Sequence, residues 1–170
     1  YLELAGTQAF NTGNYRETLE MMTEALAIGD RAPEHRTPLR HALWLRRAGQ
    51  ACYALGRVSD SRTYLERAAA TLGRSLPASR AGKLAGILAA SVRLWTRGLW
   101  HARRLDPAST QGIEILEAAT IAESAAYPYY LTGETLALMY CLVARLDLTD
   151  RLTLTGELVS ATTAVGYVWG

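Results

Sequence analysis

The stretch Ala48-Gly49-Gln50-Ala51-Cys52-Tyr53-Ala54-Leu55-Gly56-Arg57-Val58, followed ten residues later by Ala68-Ala69, restates an earlier one. Forty-three residues upstream stand Ala5-Gly6, then Gly13-Asn14-Tyr15, then Ala25-Leu26. A phrase that returns at a fixed interval marks a chain built from repeated helix pairs. Each phrase has the same logic. Gly6 and Gly49 lie where two helices must cross closely, with Ala25 and Ala68 as the matching small residues on the returning helix. A larger side chain at such a crossing costs roughly 1–3 kcal/mol in overpacking. Gly13 and Gly56 end the first helix of each pair, because glycine reaches positive φ at little cost.

Periodic apolar residues extend this plan along the chain. Helices are expected over 1–11, 15–28, 38–55, 59–72, 78–105, 112–127, 130–148 and 157–169. Thr37-Pro38 supplies a helix start, Gly73 a stop, and Asp106-Pro107 another stop. Pro128 is expected to break or kink the sixth helix. Strand-type runs are nearly absent; 152–155 is the only hint. The expectation is therefore all-α: a right-handed α-solenoid of antiparallel helix pairs, about eight helices in one domain over 1–170. Its units are a first repeat over about 1–30, a second over about 37–73, a long helix over about 78–105, a degenerate repeat over about 112–148 and a truncated one over about 151–170. Because 157–169 reads as the first helix of a further pair, the chain is expected to be a fragment of a larger protein.

Composition excludes more than it identifies. Apolar residues make up 49% of the chain and charged ones 20%, which argues against disorder. A net charge of +2 gives no broad attraction to nucleic acid. The longest apolar run, 84–92, is too short to span a bilayer. Cys52 and Cys141, each in an apolar helical stretch, read as buried reduced thiols and point to the cytoplasm. Lys83 is the only lysine, and the arginines scatter over many segments.

No catalytic constellation emerges. Gly82-Lys83 lacks the first glycine, the following Ser or Thr and the preceding strand of a phosphate loop. His35, His41 and His101 have no cysteine at ligand spacing, so no metal site is expected. No nucleophile elbow is present, and no cofactor is expected. Arg93, Arg97, His101 and Arg104 fall on one helix face. They read either as an anionic contact, with a phosphate-bearing ligand, an acidic lipid or the acidic helix of a neighbouring domain, or as a solvated face whose stems cover apolar surface.

The order small residue, glycine seven on, aromatic or branched residue two on, alanine ten on resembles the tetratricopeptide repeat. Its carriers are Gly6, Gly13, Tyr15 and Ala25 in the first unit, then Gly49, Gly56, Val58 and Ala68. In a third unit Ala126, Gly133 and Thr135 fit, whereas Arg145 stands where alanine belongs. Leu2 and Leu45 replace the usual tryptophan, and the interval of 43 exceeds the family's usual 34 or so. More broadly, the segments Gly49–Gly56 and Tyr129–Leu138 resemble the helical region that follows the ATPase module in large bacterial signalling proteins with an adenylate/guanylate cyclase domain. That resemblance implies a non-catalytic scaffold and signal relay. The alternatives it leaves are the sensor region of an ATPase-coupled transcription regulator and a free-standing peptide-binding adaptor. It also implies a partner groove carrying Thr7, Phe10, Asn11, Arg46, Gln50 and Tyr53, extended by Tyr127 and Tyr130. The occupant would be a protein or peptide segment, or a neighbouring domain of the same protein, with no nucleic acid and no membrane span.

Overall fold

The computed structural model describes residues 1–31, 37–100 and 105–152. Among these the protein is all-helical, with seven helices and a single isolated bridge, Leu105 to Leu152, in place of any strand. The helices are α1 (Leu2–Asn11), α2 (Tyr15–Arg31), α3 (Pro38–Ala54), α4 (Val58–Thr71), α5 (Arg80–Trp100), α6 (Thr110–Leu131) and α7 (Thr135–Thr149). The helix expected over 157–169 lies outside the described residues.

Local chemistry sets most of these boundaries. The Thr37 hydroxyl accepts from the Arg40 amide and Pro38 occupies the first turn, so α3 starts there. Ser109 caps α6 by accepting from the Gly112 amide at 3.0 Å. Gly13, Gly56 and Gly133 each take φ between 71° and 77°. Around each one the same pair of bonds forms. The glycine amide donates three residues back, to Phe10, Tyr53 or Tyr130, and the next amide donates five back, to Ala9, Cys52 or Tyr129. This double bond pattern satisfies the last carbonyls of the helix and turns the chain through a few residues, which leaves successive helices antiparallel.

Pro128 does not break α6, which runs on to Leu131. The break falls at Thr132–Glu134 instead, and α7 begins at Thr135 rather than at 130. Pro128 lies in the final turn of α6, so it removes only one helical bond, the one its missing amide would have given to the Ser124 carbonyl. Its ring is fully buried. The fifth helix also starts later than expected, at Arg80.

The small residues sit at helix crossings. A Cβ on Gly6 would strike the Met22 methyl of α2, and a Cβ on Gly49 would lie 2.8 Å from Leu65 Cγ and 3.2 Å from the Ser61 carbonyl of α4. Ala25 and Ala68 are buried in the core beside Met22, Leu45 and Ala48. In space α2 packs on α1 and α3, and α3 on α4. The order then departs from the chain. α4 and α3 pack against α6, α6 against α7, and α5 against α7 alone. Contacts rise together along α5 and α7, from Gly86 beside the Tyr140 ring to Arg93 and Arg97 beside Asp147, so these two helices run in parallel.

The neighbours of the two crossing glycines differ in compliance. Beside Gly6 the closest atom is the flexible end of Met22, with the Met21 Cβ at 3.2 Å, whereas beside Gly49 the branched Leu65 and the Ser61 carbonyl cannot move aside. Gly6→Ala should therefore leave stability within about 0.5 kcal/mol of wild type, while Gly49→Ala should destabilise by about 1–3 kcal/mol. Urea unfolding of the two variants measures the difference.

Candidate functional site

The site implied by the sequence divides into an aromatic edge and a polar interior. Phe10, Tyr53 and Tyr130 hold equivalent places, each the residue whose carbonyl takes the turn glycine's amide. Phe10 packs edge-on against Tyr15 with centroids 5.6 Å apart, and the Arg47 guanidinium lies 4.5 Å from the Phe10 ring. Tyr53 of α3 meets Tyr127 of α6 at 5.8 Å. Tyr130 and Asn11 are exposed. Thr7 spends its hydroxyl within its own helix, donating to the Glu3 carbonyl at 2.8 Å.

Arg46 and Gln50 are not exposed groove residues. Arg46 is buried and donates through Nε and Nη2 to both oxygens of Glu117 on α6, at 2.6 and 3.0 Å. Side-chain exposure is only 8% for Arg46 and 11% for Glu117, so this bidentate pair belongs to the interior. Arg46 also donates to Gln50 Oε1 at 3.1 Å, and Gln50 donates to the Ser124 hydroxyl at 2.9 Å. A chain of polar contacts thus joins α3 to α6. No local pattern announces it, because Arg46 and Glu117 are 71 positions apart.

A second cluster joins α4 to α6 and α7. The Tyr129 hydroxyl donates to Glu66 at 2.6 Å, and Arg62 bonds both Glu66 and Glu134 while lying over the Tyr129 ring at 4.9 Å. Burial pushes the Tyr129 hydroxyl's pKa up, and its bond to Glu66 adds to the rise. Burial also opposes ionisation of Glu66. The bonds from Tyr129 and Arg62 outweigh it and hold the carboxyl below its usual range.

Arg93 and Arg97 of the stripe meet Asp147 of α7 in the same chain, at 3.2 and 2.7 Å. Arg97 approaches Asp150 at 3.5 Å, and Arg151 also reaches Asp147 at 3.0 Å. Burial would raise the pKa of Asp147, but Arg151, Arg93 and Arg97 together lower it. His101 and Arg104 lie outside the described residues. The two cysteines are buried; burial pushes Cys52 up and Cys141 up to about 12, which keeps both thiols protonated and unreactive.

The largest feature that sequence reasoning missed is on α5. Leu84, Leu88, Val92 and Trp95 form one apolar stripe on its outer side, exposed by 52%, 66%, 57% and 71%. Ala90 is the one buried residue among the described side chains of this helix. The i, i+4, i+8, i+11 spacing is visible in the sequence, but it matches that of any core-facing helix. Among the described residues no group of His, Cys, Asp and Glu could hold a metal ion, and no described helix is long and apolar enough to cross a membrane. No family model matches the chain, and no curated protein or solved structure matches it.

Two outcomes follow from this polar interior. Glu117→Leu leaves the Arg46 charge buried without its partner and should destabilise by about 3–5 kcal/mol, whereas Arg46→Met with Glu117→Leu should recover most of that loss; chemical denaturation of both proteins separates the cases. Asp147, depressed in the folded state, contributes stability above its unfolded pKa of about 3.9 and loses it as pH falls through the lower folded value. Thermal melts of wild type and Asp147→Asn should accordingly differ at neutral pH and converge well below about pH 4.

Proposed function

We propose that the protein is a non-catalytic interaction and signal-relay module of a larger, ATPase-linked signalling protein of the cyclase type. In this reading its helix pairs stack as a right-handed, tetratricopeptide-like α-solenoid, with α1/α2, α3/α4 and α6/α7 as the pairs and α5 as an added helix. What supports that assignment of pairs is that a new helix starts two residues after the turn glycines Gly13, Gly56 and Gly133, whereas after the same turn at Gly73 α5 starts only at Arg80.

The observation that carries the functional reading is the apolar stripe of α5. Four large apolar side chains exposed along one helix form a contiguous surface of the kind that marks protein contacts. The partner is an amphipathic segment of a neighbouring domain in the same protein, with an acidic flank. The charged residues of α5 are Arg80, Lys83, Arg93 and Arg97, all cationic; Arg93 and Arg97 are paired with Asp147, which leaves Arg80 and Lys83 for that flank. The interior carboxylates and the tyrosine are engaged with arginines and with each other, which leaves them structural rather than catalytic. Binding at α5 would reach the pairs through α7, the one helix on which α5 packs.

In the full-length parent protein, Leu88→Asp with Trp95→Ser should change the rate of ATP turnover severalfold. In the isolated chain the same changes, being exposed, should shift stability by no more than about 0.5 kcal/mol each. An unaltered rate in the parent, or ATP hydrolysis or cyclic-nucleotide synthesis by this chain alone, would refute the reading.

A further inference from the structure

Helix α5 packs on α7 but makes no close approach to α4 or α6. Between them lies a cavity of about 320 Å³, walled by Leu65 and Ala69 of α4, Ala122 and Ala125 of α6, and Ile87 and Ala90 of α5. Protein interiors are normally filled to crystal-like density. Here the walls carry small side chains where larger ones would bring α5 against its neighbours. The volume lies at the lower end of the roughly 300–1,000 Å³ range of small-molecule sites.

One edge of the cavity is cationic. Arg74 and Arg93 line it together with Asp147. Four guanidinium groups, those of Arg74, Arg93, Arg97 and Arg151, surround two carboxylates, Asp147 and Asp150. Three of the four are paired with Asp147. The Arg74 side chain makes no hydrogen bond or ion pair among the described residues. Arg74 is exposed at the mouth of the cavity, and its charged form is disfavoured first by partial burial there and second by Arg151. An anion placed at this edge would relieve both effects. The opposite, polar part of the wall offers no such opening, because Glu66 and Tyr129 already satisfy each other at 2.6 Å.

We propose that the cavity binds a small amphipathic organic anion, an apolar body lying along the alanine walls with its carboxylate paired to Arg74. The site is separate from the exposed stripe of α5, which faces the other way and stands or falls by its own test. Binding joins α5 to α4 and α6 through the ligand, and so fixes the one helix that otherwise rests on α7 alone.

Isothermal titration calorimetry of the whole chain with octanoate and with octan-1-ol tests this. Octanoate should bind once per chain, about tenfold or more tightly than the neutral alcohol of equal length, since a charge-assisted pair is worth about that factor. Arg74→Gln, at an exposed position that leaves the fold intact, should abolish the preference while sparing the alcohol. Ala122→Leu and Ala125→Leu, which fill the cavity, should each weaken octanoate about tenfold or more, and Leu88→Asp with Trp95→Ser should leave it unchanged. Absence of binding by octanoate at millimolar concentration, equal affinity for acid and alcohol, an unaltered preference in Arg74→Gln, or loss of binding only in the α5 stripe variant would each overturn the proposal.

Discussion

The buried pair between Arg46 and Glu117 fixes α6 against α3. Two charges nearly out of water are tolerable only when each satisfies the other with good geometry. Here both carboxylate oxygens accept from one guanidinium, and Gln50 and Ser124 extend the bonding. Slide α6 by one turn along α3 and these bonds break together. The pair therefore acts as a register mark, and it makes α6 rather than α5 the neighbour of α3. The second cluster, Arg62, Glu66, Tyr129 and Glu134, fixes α4 against α6 and α7 in the same way.

Once α6 and α7 occupy that position, α5 is left outside the continuous packing. It finds one helix to rest on, and three features follow. Its inner side borders a cavity, because small side chains there do not reach α4 or α6. Its outer side leaves Leu84, Leu88, Val92 and Trp95 in solvent. And α7 must serve two neighbours. Its buried residues are Ala137, Cys141, Asp147 and Leu148. Arg145, standing where the repeat pattern wants alanine, is not among them and pairs with Glu123 of α6 at 3.4 Å.

The polar groups that might suggest chemistry are instead absorbed by the fold. Asp147 gathers three arginines, Glu66 a tyrosine and an arginine, and both cysteines are held in the unreactive thiol form. Carboxylates stabilised as anions by fixed cations are poor proton donors and poor bases near neutrality. Large apolar and aromatic side chains that remain exposed include Leu84, Leu88, Val92 and Trp95 of α5 and Tyr127 and Tyr130 of α6.

The amino-acid sequence by itself determined the helices, their turns and their crossings. A glycine at positive φ, a Thr-Pro start and a residue too small to block a neighbouring helix all act over a few positions, and Gly6, Gly13, Gly49 and Gly56 could be assigned from spacing alone. Of the residues assigned to a groove, Tyr53 and Tyr127 meet, Arg46 is buried against Glu117, and Gln50 is half-buried between Arg46 and Ser124. Pro128 misled because a proline's effect depends on how many turns follow it, which the sequence does not mark. Tertiary structure alone decided which helix packs beside which, and hence the cavity and the exposed stripe. Such choices rest on pairings like Arg46 with Glu117, whose free energy depends on burial and on the fit of two distant helices, and neither quantity is carried by local sequence.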